Sequence, residues 1–211
     1  MSDSESNPAV PLGELDVRQA AWPTALGFVS IIYAIIAFFA NVASMAAPFL
    51  EPVGLRLGGV TIDPDMGLPG WIIAGTLVFG FVGVLLAIFL VVGAVGLIRR
   101  TPSGVALLKI WSVLAASAAV LAIGFGSFAI EPNTDRQLEI QSAFQDLIRE
   151  QHPSDADQRI ANVGLDQDRD SMKKASIRNL AIFGSMPLLF PLLLGIFLTG
   201  KRREQEIRAW E

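Results

Sequence analysis

Four long apolar stretches without charged residues alternate with short charged segments along the chain. Asp, Glu, Lys and Arg are absent from residues 19–50, 66–98, 110–130 and 179–200. Each stretch is at least as long as the roughly 20 apolar residues that cross a bilayer core of about 30 Å. The pattern predicts four transmembrane helices, at about 22–47, 69–98, 105–130 and 176–199.

The second stretch shows why insertion into lipid is favoured. Residues 68–98 contain nineteen Leu, Ile, Val and Phe residues. At about −0.3 to −0.6 kcal/mol each near the bilayer centre, they supply roughly −6 to −11 kcal/mol, and no charge opposes them. The alternative is a large soluble helical core, which four uninterrupted stretches of this length disfavour.

Turn-forming residues set the predicted ends of the membrane helices. Pro48 is expected to close the first helix, Pro69 to open the second, and residues 101–104 to form a tight turn before the third. Residues 1–18 are predicted to be a disordered cytoplasmic tail. Residues 19–200 form the membrane domain, with outer loops at 49–68 and 131–175, and residues 201–211 form a basic cytoplasmic tail.

The longer outer loop carries helical patterning. Asn133 or Thr134 can cap an amphipathic helix that ends at His152-Pro153, and a shorter helix is predicted for 155–163 with Gly164 as its stop. From Asp166 the chain is expected to run helically into the fourth membrane helix. The predicted fold is therefore all-α, an integral membrane four-helix bundle with a small extracytoplasmic helical cap.

Basic residues near the helix ends predict the orientation. One side holds two basic clusters, Arg99-Arg100 and Lys201-Arg202-Arg203, whereas the first loop on the other side holds only Arg56. The second loop has six basic residues among ten acidic ones. Since cytoplasmic segments carry the excess of Lys and Arg, both termini are predicted to face the cytoplasm.

Aromatic, small and proline residues suggest further roles. Trp22, Trp71 and Trp111 lie near predicted helix starts, where an indole ring favours the headgroup level. Together with the two basic clusters they are the predicted membrane-interface anchors: Trp22, Trp71, Trp111, Arg99, Arg100, Lys201, Arg202 and Arg203. Small residues with close spacing predict a helix-packing face, either within the bundle or toward a partner or second copy: Gly83, Ala87, Ala115, Ala119, Ala122 and Gly126. Two prolines inside the fourth helix predict a kink: Pro187 and Pro191.

The sequence contains no recognisable group of catalytic, cofactor-binding or metal-binding residues. It has no cysteine and a single histidine, His152, in a loop. Asp166-x-Asp168-x-Asp170 is similar to the start of a calcium loop, but Ser171 stands where the turn needs Gly and Ile177 where a bidentate Glu is needed. We therefore expect a non-enzymatic protein without catalytic, cofactor or metal residues and without a nucleic-acid partner.

A short stretch carries a family resemblance. In residues 96–113 a helix ends in Gly-Leu, a basic turn follows, and the next helix opens with apolar residues and Trp111. This resembles the cytoplasmic turn of small uncharacterised bacterial multi-pass proteins, and implies a bacterial four-helix membrane protein without a known activity. The layout of the loops is also similar to that of tetraspanins, although the cysteines of their large loop are missing.

These observations favour an accessory, assembly or scaffold subunit that acts by lateral helix association in the lipid bilayer. One alternative is a component of an oligomeric transporter or channel, suggested by the proline pair and the acidic outer face. Another is an envelope sensor that uses the 131–175 loop to bind a ligand.

Overall fold

The protein was analysed as a computed structural model, which describes residues 21–59 and 68–210. Within them the chain forms six helices: α1 (Trp22–Leu57), α2 (Gly70–Ile98), α3 (Pro102–Gln151), α4 (Ala156–Val163), α5 (Arg169–Thr199) and α6 (Lys201–Arg208). The predicted disordered tail, 1–18, lies outside the described residues, as do residues 60–67 of the predicted first outer loop. Four helices, α1, α2, α3 and α5, are long and apolar enough to cross a membrane.

Large apolar side chains cover the outside of these four helices. Phe39 is 65% exposed, Phe128 79% and Phe183 64%, and many Leu, Ile and Val residues around them are similarly open. A soluble protein rarely exposes contiguous apolar patches larger than a few hundred Å². The surface therefore requires a lipid bilayer as its solvent, and the predicted all-α membrane bundle is confirmed.

The long helices pack in chain order, α1 against α2, α2 against α3 and α3 against α5. Fully buried leucines from α2, α3 and α5 form the core: Leu90, Leu97, Leu108, Leu194 and Leu198. We call the end of the bundle that holds Trp22, the α2–α3 turn and Thr199 the turn end, and the opposite end the cap end.

The α2–α3 connection is the tight turn that the sequence predicts. Arg100 has a φ of 56°, in the left-handed region, and the Thr101 amide donates to the Gly96 carbonyl at 2.9 Å. The Thr101 hydroxyl oxygen then caps α3 by accepting from the Gly104 amide at 3.2 Å. This turn brings the backbones of Gly96 and Gly104 into direct contact.

The predicted closure of the first helix at Pro48 is wrong. α1 continues through Pro48 and Pro52 to Leu57. A proline removes a single backbone donor from the helix, and surrounding contacts can compensate for that loss. Here Glu51, between the two prolines, pairs with Arg136 of α3 at 3.2 Å and holds the extension of α1 in place.

The third helix does not end at Ile130, and no separate cap helix begins at Asn133 or Thr134. α3 runs unbroken through Pro132 to Gln151. The Thr134 hydroxyl, expected to cap a new helix, instead donates to the Ile130 carbonyl one turn back, at 2.8 Å. The part beyond Ile130 projects roughly 30 Å at a rise of about 1.5 Å per residue.

The rest of the cap follows the prediction closely. His152 ends α3, and α4 ends at Gly164, which has a left-handed φ of 70°. α5 begins at Arg169, where the Asp168 carboxylate accepts from the Ser171 amide at 3.1 Å. Asp168 is therefore a helix N-cap. Its pKa is held below the usual value, chiefly by the hydrogen bonds from Ser171.

Candidate functional site

The predicted packing residues of α2 receive the side chains of α1. A Cβ atom placed on Gly83 would lie 2.1 Å from Oδ1 of Asn41, and Ala87 is buried. The Asn41 amide nitrogen is turned back to the Ala37 carbonyl at 2.7 Å. The absence of a side chain at position 83 therefore leaves the space that the end of the Asn41 side chain occupies.

The predicted packing residues of α3 are also used inside the chain. Ala115 is buried in the core, and Ala119 and Ala122 are half-buried. A Cβ atom on Gly126 would lie 2.9 Å from Cδ1 of Leu180, on α5. The contacts of α2 and α3 favour packing within the bundle over a face that awaits a partner.

A different row of residues is left on the outside of α1. Ile35, Phe39, Ala43 and Ala47 follow one another at a spacing of four residues, which places them on one ridge of the helix, and all four are exposed. Sequence analysis missed this ridge. Small residues at close spacing were visible there, but the sequence does not show which side of α1 meets α2.

A shallow apolar pocket lies between α1 and α2, beside Ile35 and Phe39, in the half of the ridge nearer the turn end. Its volume is about 130 Å³ and its lining is entirely apolar: Ala34, Ile35, Phe38, Phe39, Ala87, Ile88 and Val91. Ala34 and Ala87 are buried, whereas Ile35, Phe39 and Ile88 are at least half exposed. The pocket has the chemistry to receive a hydrocarbon group from the bilayer side.

Trp111 is not an interfacial anchor, contrary to the prediction. It is only 3% exposed, and its indole nitrogen donates to the Leu86 carbonyl of α2 at 2.7 Å. The centre of its ring lies 6.3 Å from the ring centre of Tyr33 and 6.0 Å from that of Phe190. A buried indole needs a partner for its N–H group, and α2 provides one. Position in the sequence alone did not reveal that Trp111 faces inward.

The other two predicted anchors lie nearer the surface. Trp71, at the start of α2, is exposed on one side and meets the edge of the Phe125 ring at 5.6 Å. Trp22, at the start of α1, is half-buried because α6 folds over it.

α6 and the start of α1 form a compact polar and aromatic contact at the turn end, which we call the α6 clasp: Trp22, Arg203, Glu206 and Trp210. The Trp22 indole nitrogen and the Arg203 guanidinium both donate to Oε2 of Glu206, each at 2.7 Å. Arg203 lies 5.0 Å from the Trp22 ring centre, and the Trp210 ring stacks on Trp22 at 5.8 Å. The predicted basic tail is therefore a docked helix.

The electrostatics of the clasp favour an ionised Glu206. Partial burial raises the pKa of its carboxyl, but the hydrogen bonds from Arg203 and Trp22 and the charges of Arg203 and Arg202 lower that pKa overall. Lys109 of α3 pairs with Glu204 at 3.7 Å and adds a second attachment. α6 thus links α1, α3 and α5 at one end of the bundle.

Ion pairs fasten the cap end. Besides Glu51 and Arg136, Arg169 of α5 contacts Asp135 at 2.8 Å and Glu131 at 3.6 Å. These pairs join α1, α3 and α5 where the apolar part of the bundle stops. Within residues 21–59 and 68–210, no group of three or more His, Asp or Glu side chains is placed to hold a metal ion.

The two prolines of α5 differ in environment. Pro187 is exposed on the outer surface, whereas Pro191 is fully buried beside the core. α5 remains helical across both of them, and the kink at these positions stays a prediction.

Comparison with known proteins adds no family to this picture. No family model matches the chain, and no curated protein or solved structure matches it significantly.

Proposed function

We propose that the protein is a non-enzymatic multi-pass membrane protein, an accessory or assembly subunit that associates laterally through α1. The observation that carries the proposal is the exposed ridge of Ile35, Phe39, Ala43 and Ala47, continuous with the apolar pocket. Gly83, Ala87, Ala115 and Gly126 of α2 and α3 are packed within the bundle, whereas this ridge faces the bilayer.

The ridge suits a helix as its partner. In lipid the hydrophobic effect does not drive helices together, so association depends on close packing. Near the pocket the ridge is bulky, and a partner side chain can insert between Phe39 and Ile88. Toward the cap end it narrows to Ala43 and Ala47, where another backbone can approach closely. We therefore place the partner helix across α1, with its closest approach at Ala43.

The topology belongs to the same proposal. The protein crosses a bacterial inner membrane four times, with both termini in the cytoplasm. Exposed bases at the turn end support this orientation, among them Arg99, Lys201 and Arg202, and the resemblance of residues 96–113 to bacterial multi-pass proteins agrees with it.

Cysteine crosslinking in native membranes tests the lateral contact. Because the natural chain has no cysteine, Ala43→Cys carries a single thiol. We expect a thiol crosslinker with a second, photoreactive group to join it to one stoichiometric partner or to a second copy. Enlarging the same position with Ala43→Leu should lower recovery of that partner at least about tenfold, since an intruding side chain prevents close packing.

Leu121→Cys is the matched control. Leu121 lies on α3, is 64% exposed to the bilayer, and belongs neither to the ridge of α1 nor to the lining of its pocket. It should give only diffuse adducts. A chain with Cys at position 43 that stays monomeric and uncrosslinked would contradict the proposal.

A further inference from the structure

The two faces of α6 differ sharply in charge. Successive residues of a helix are rotated by about 100°, which groups Arg203, Glu206, Ile207 and Trp210 on one side, and all four are half-buried against the bundle. Lys201, Arg202 and Arg208 are exposed on the remaining surface. Glu206, Ile207 and Trp210 are thus turned inward, whereas Lys201, Arg202 and Arg208 are exposed together with Glu204.

The acids of α6 do not neutralise the outward face. Glu206 is held inside the α6 clasp, and Glu204 is occupied by Lys109 of α3. Arg202 reaches Glu206 at 3.5 Å, but its side chain remains 77% exposed. The outward face therefore presents a net positive surface of three flexible bases.

This surface lies at the level where the apolar helices end. α2 stops at Ile98 and α5 at Thr199, and the extended Gly200 turns the chain directly into α6. Trp22 and Trp210, whose rings favour the boundary between lipid and water, lie beneath α6. This is the level at which we expect phospholipid headgroups around the bundle.

We propose that the outward face of α6 binds anionic phospholipid headgroups, and that this binding holds the α6 clasp closed. A base near an anionic membrane surface contributes roughly a fivefold gain in affinity. A lipid that binds only docked α6 also stabilises the docked state by mass action. Because the clasp joins α1 to α6, lipid composition would control how firmly α6 is held against this end of the bundle.

The test uses the full chain in vesicles of phosphatidylcholine alone or of equimolar phosphatidylcholine and phosphatidylglycerol. The ratio of the two lipids retained after extraction and the thermal unfolding midpoint are measured. We expect enriched phosphatidylglycerol and a higher midpoint in the mixed vesicles. The combined Lys201→Gln, Arg202→Gln and Arg208→Gln variant should lose about tenfold or more of that enrichment, together with the rise in the midpoint.

A variant of equal charge at the other end of α5 provides the control: Lys173→Gln, Lys174→Gln and Arg178→Gln, all exposed positions. It should keep the enrichment, and an equal loss there would show that total charge alone attracts the lipid, which overturns the proposal. A third arm adds inorganic phosphate to phosphatidylcholine vesicles. If phosphate reproduces the rise in the midpoint, the surface binds a free anion and the lipid assignment is wrong.

Discussion

At the scale of single residues, the contact between α2 and α3 depends on two glycines. A Cβ atom on Gly104 would lie 2.4 Å from the carbonyl carbon of Gly96 and 2.6 Å from its Cα. Both are backbone atoms, which cannot rotate away as the end of a side chain can. The tight turn fixes this spacing, so added volume has to separate the two helices.

Gly104→Ala should therefore destabilise the bundle by about 1–3 kcal/mol, the usual cost of overpacking. Gly124→Ala on the same helix is the control, because nothing lies within 4 Å of its added methyl group, and alanine favours a helix over glycine. Thermal unfolding in detergent measures both variants. Equal stability of Gly104→Ala and Gly124→Ala would show that the turn accommodates the added methyl group without loss of stability.

Polar residues inside the membrane helices show a second feature at this scale. Ser30, Asn41 and Ser112 each donate to the backbone carbonyl four residues earlier in their own helix. These hydrogen bonds satisfy the donors without a partner helix.

At the scale of elements, the α6 clasp is centred on one carboxylate, that of Glu206. The pKa of Glu206 is held below its usual value, so the docked state binds a proton less readily than the released one. The stability that Glu206 adds is therefore complete above the usual pKa of a glutamate. It is lost as the pH falls through the lowered pKa.

Acidification should consequently release α6 in the range below the usual pKa of a glutamate. The change can be followed by the near-ultraviolet circular dichroism of the stacked Trp22 and Trp210 rings. Glu206→Gln should weaken the stacking signal at neutral pH and remove its acid transition. An unchanged transition in that variant would assign the acid sensitivity to another group.

α3 shows that a helix need not end where its surroundings change from lipid to water. Its apolar part stops at Ile130, yet the helix continues to Gln151 with polar and charged residues. The amino-acid composition indicates whether lipid or water surrounds a segment. The end of the helix depends instead on local residues that cannot continue it, here His152-Pro153. One rigid element therefore links the membrane bundle to the cap.

At the scale of the whole molecule, the two ends differ in construction. The turn end is closed by aromatic rings and the docked α6, and the cap end is held by ion pairs among α1, α3 and α5. The proposed topology places the turn end in the cytoplasm.

Labelling with a membrane-impermeant maleimide tests that placement in the natively cysteine-free chain. Ser154→Cys in the cap should react in intact bacterial cells, whereas Ser103→Cys in the α2–α3 turn should react only after permeabilisation. Both positions are exposed, so their access to solvent differs only through the membrane. The opposite pattern would reverse the orientation.

The sequence by itself determined the number, type and approximate place of the membrane helices, because length and hydrophobicity decide partition into lipid whatever the neighbours are. It also located α4 and its stop at Gly164, where backbone conformation is a local property. It failed at Pro48 and Pro132, since the outcome there depends on whether the surrounding structure supports the helix.

Only the tertiary structure decided which side of each helix faces inward. Trp111 and Gly83 meet neighbouring helices, whereas Ala43 and Ala47 are left facing the bilayer. In water, the pattern of apolar residues would reveal the inner face of a helix. In lipid both faces are apolar, so this signal vanishes and the packing of the four helices alone assigns each residue its role.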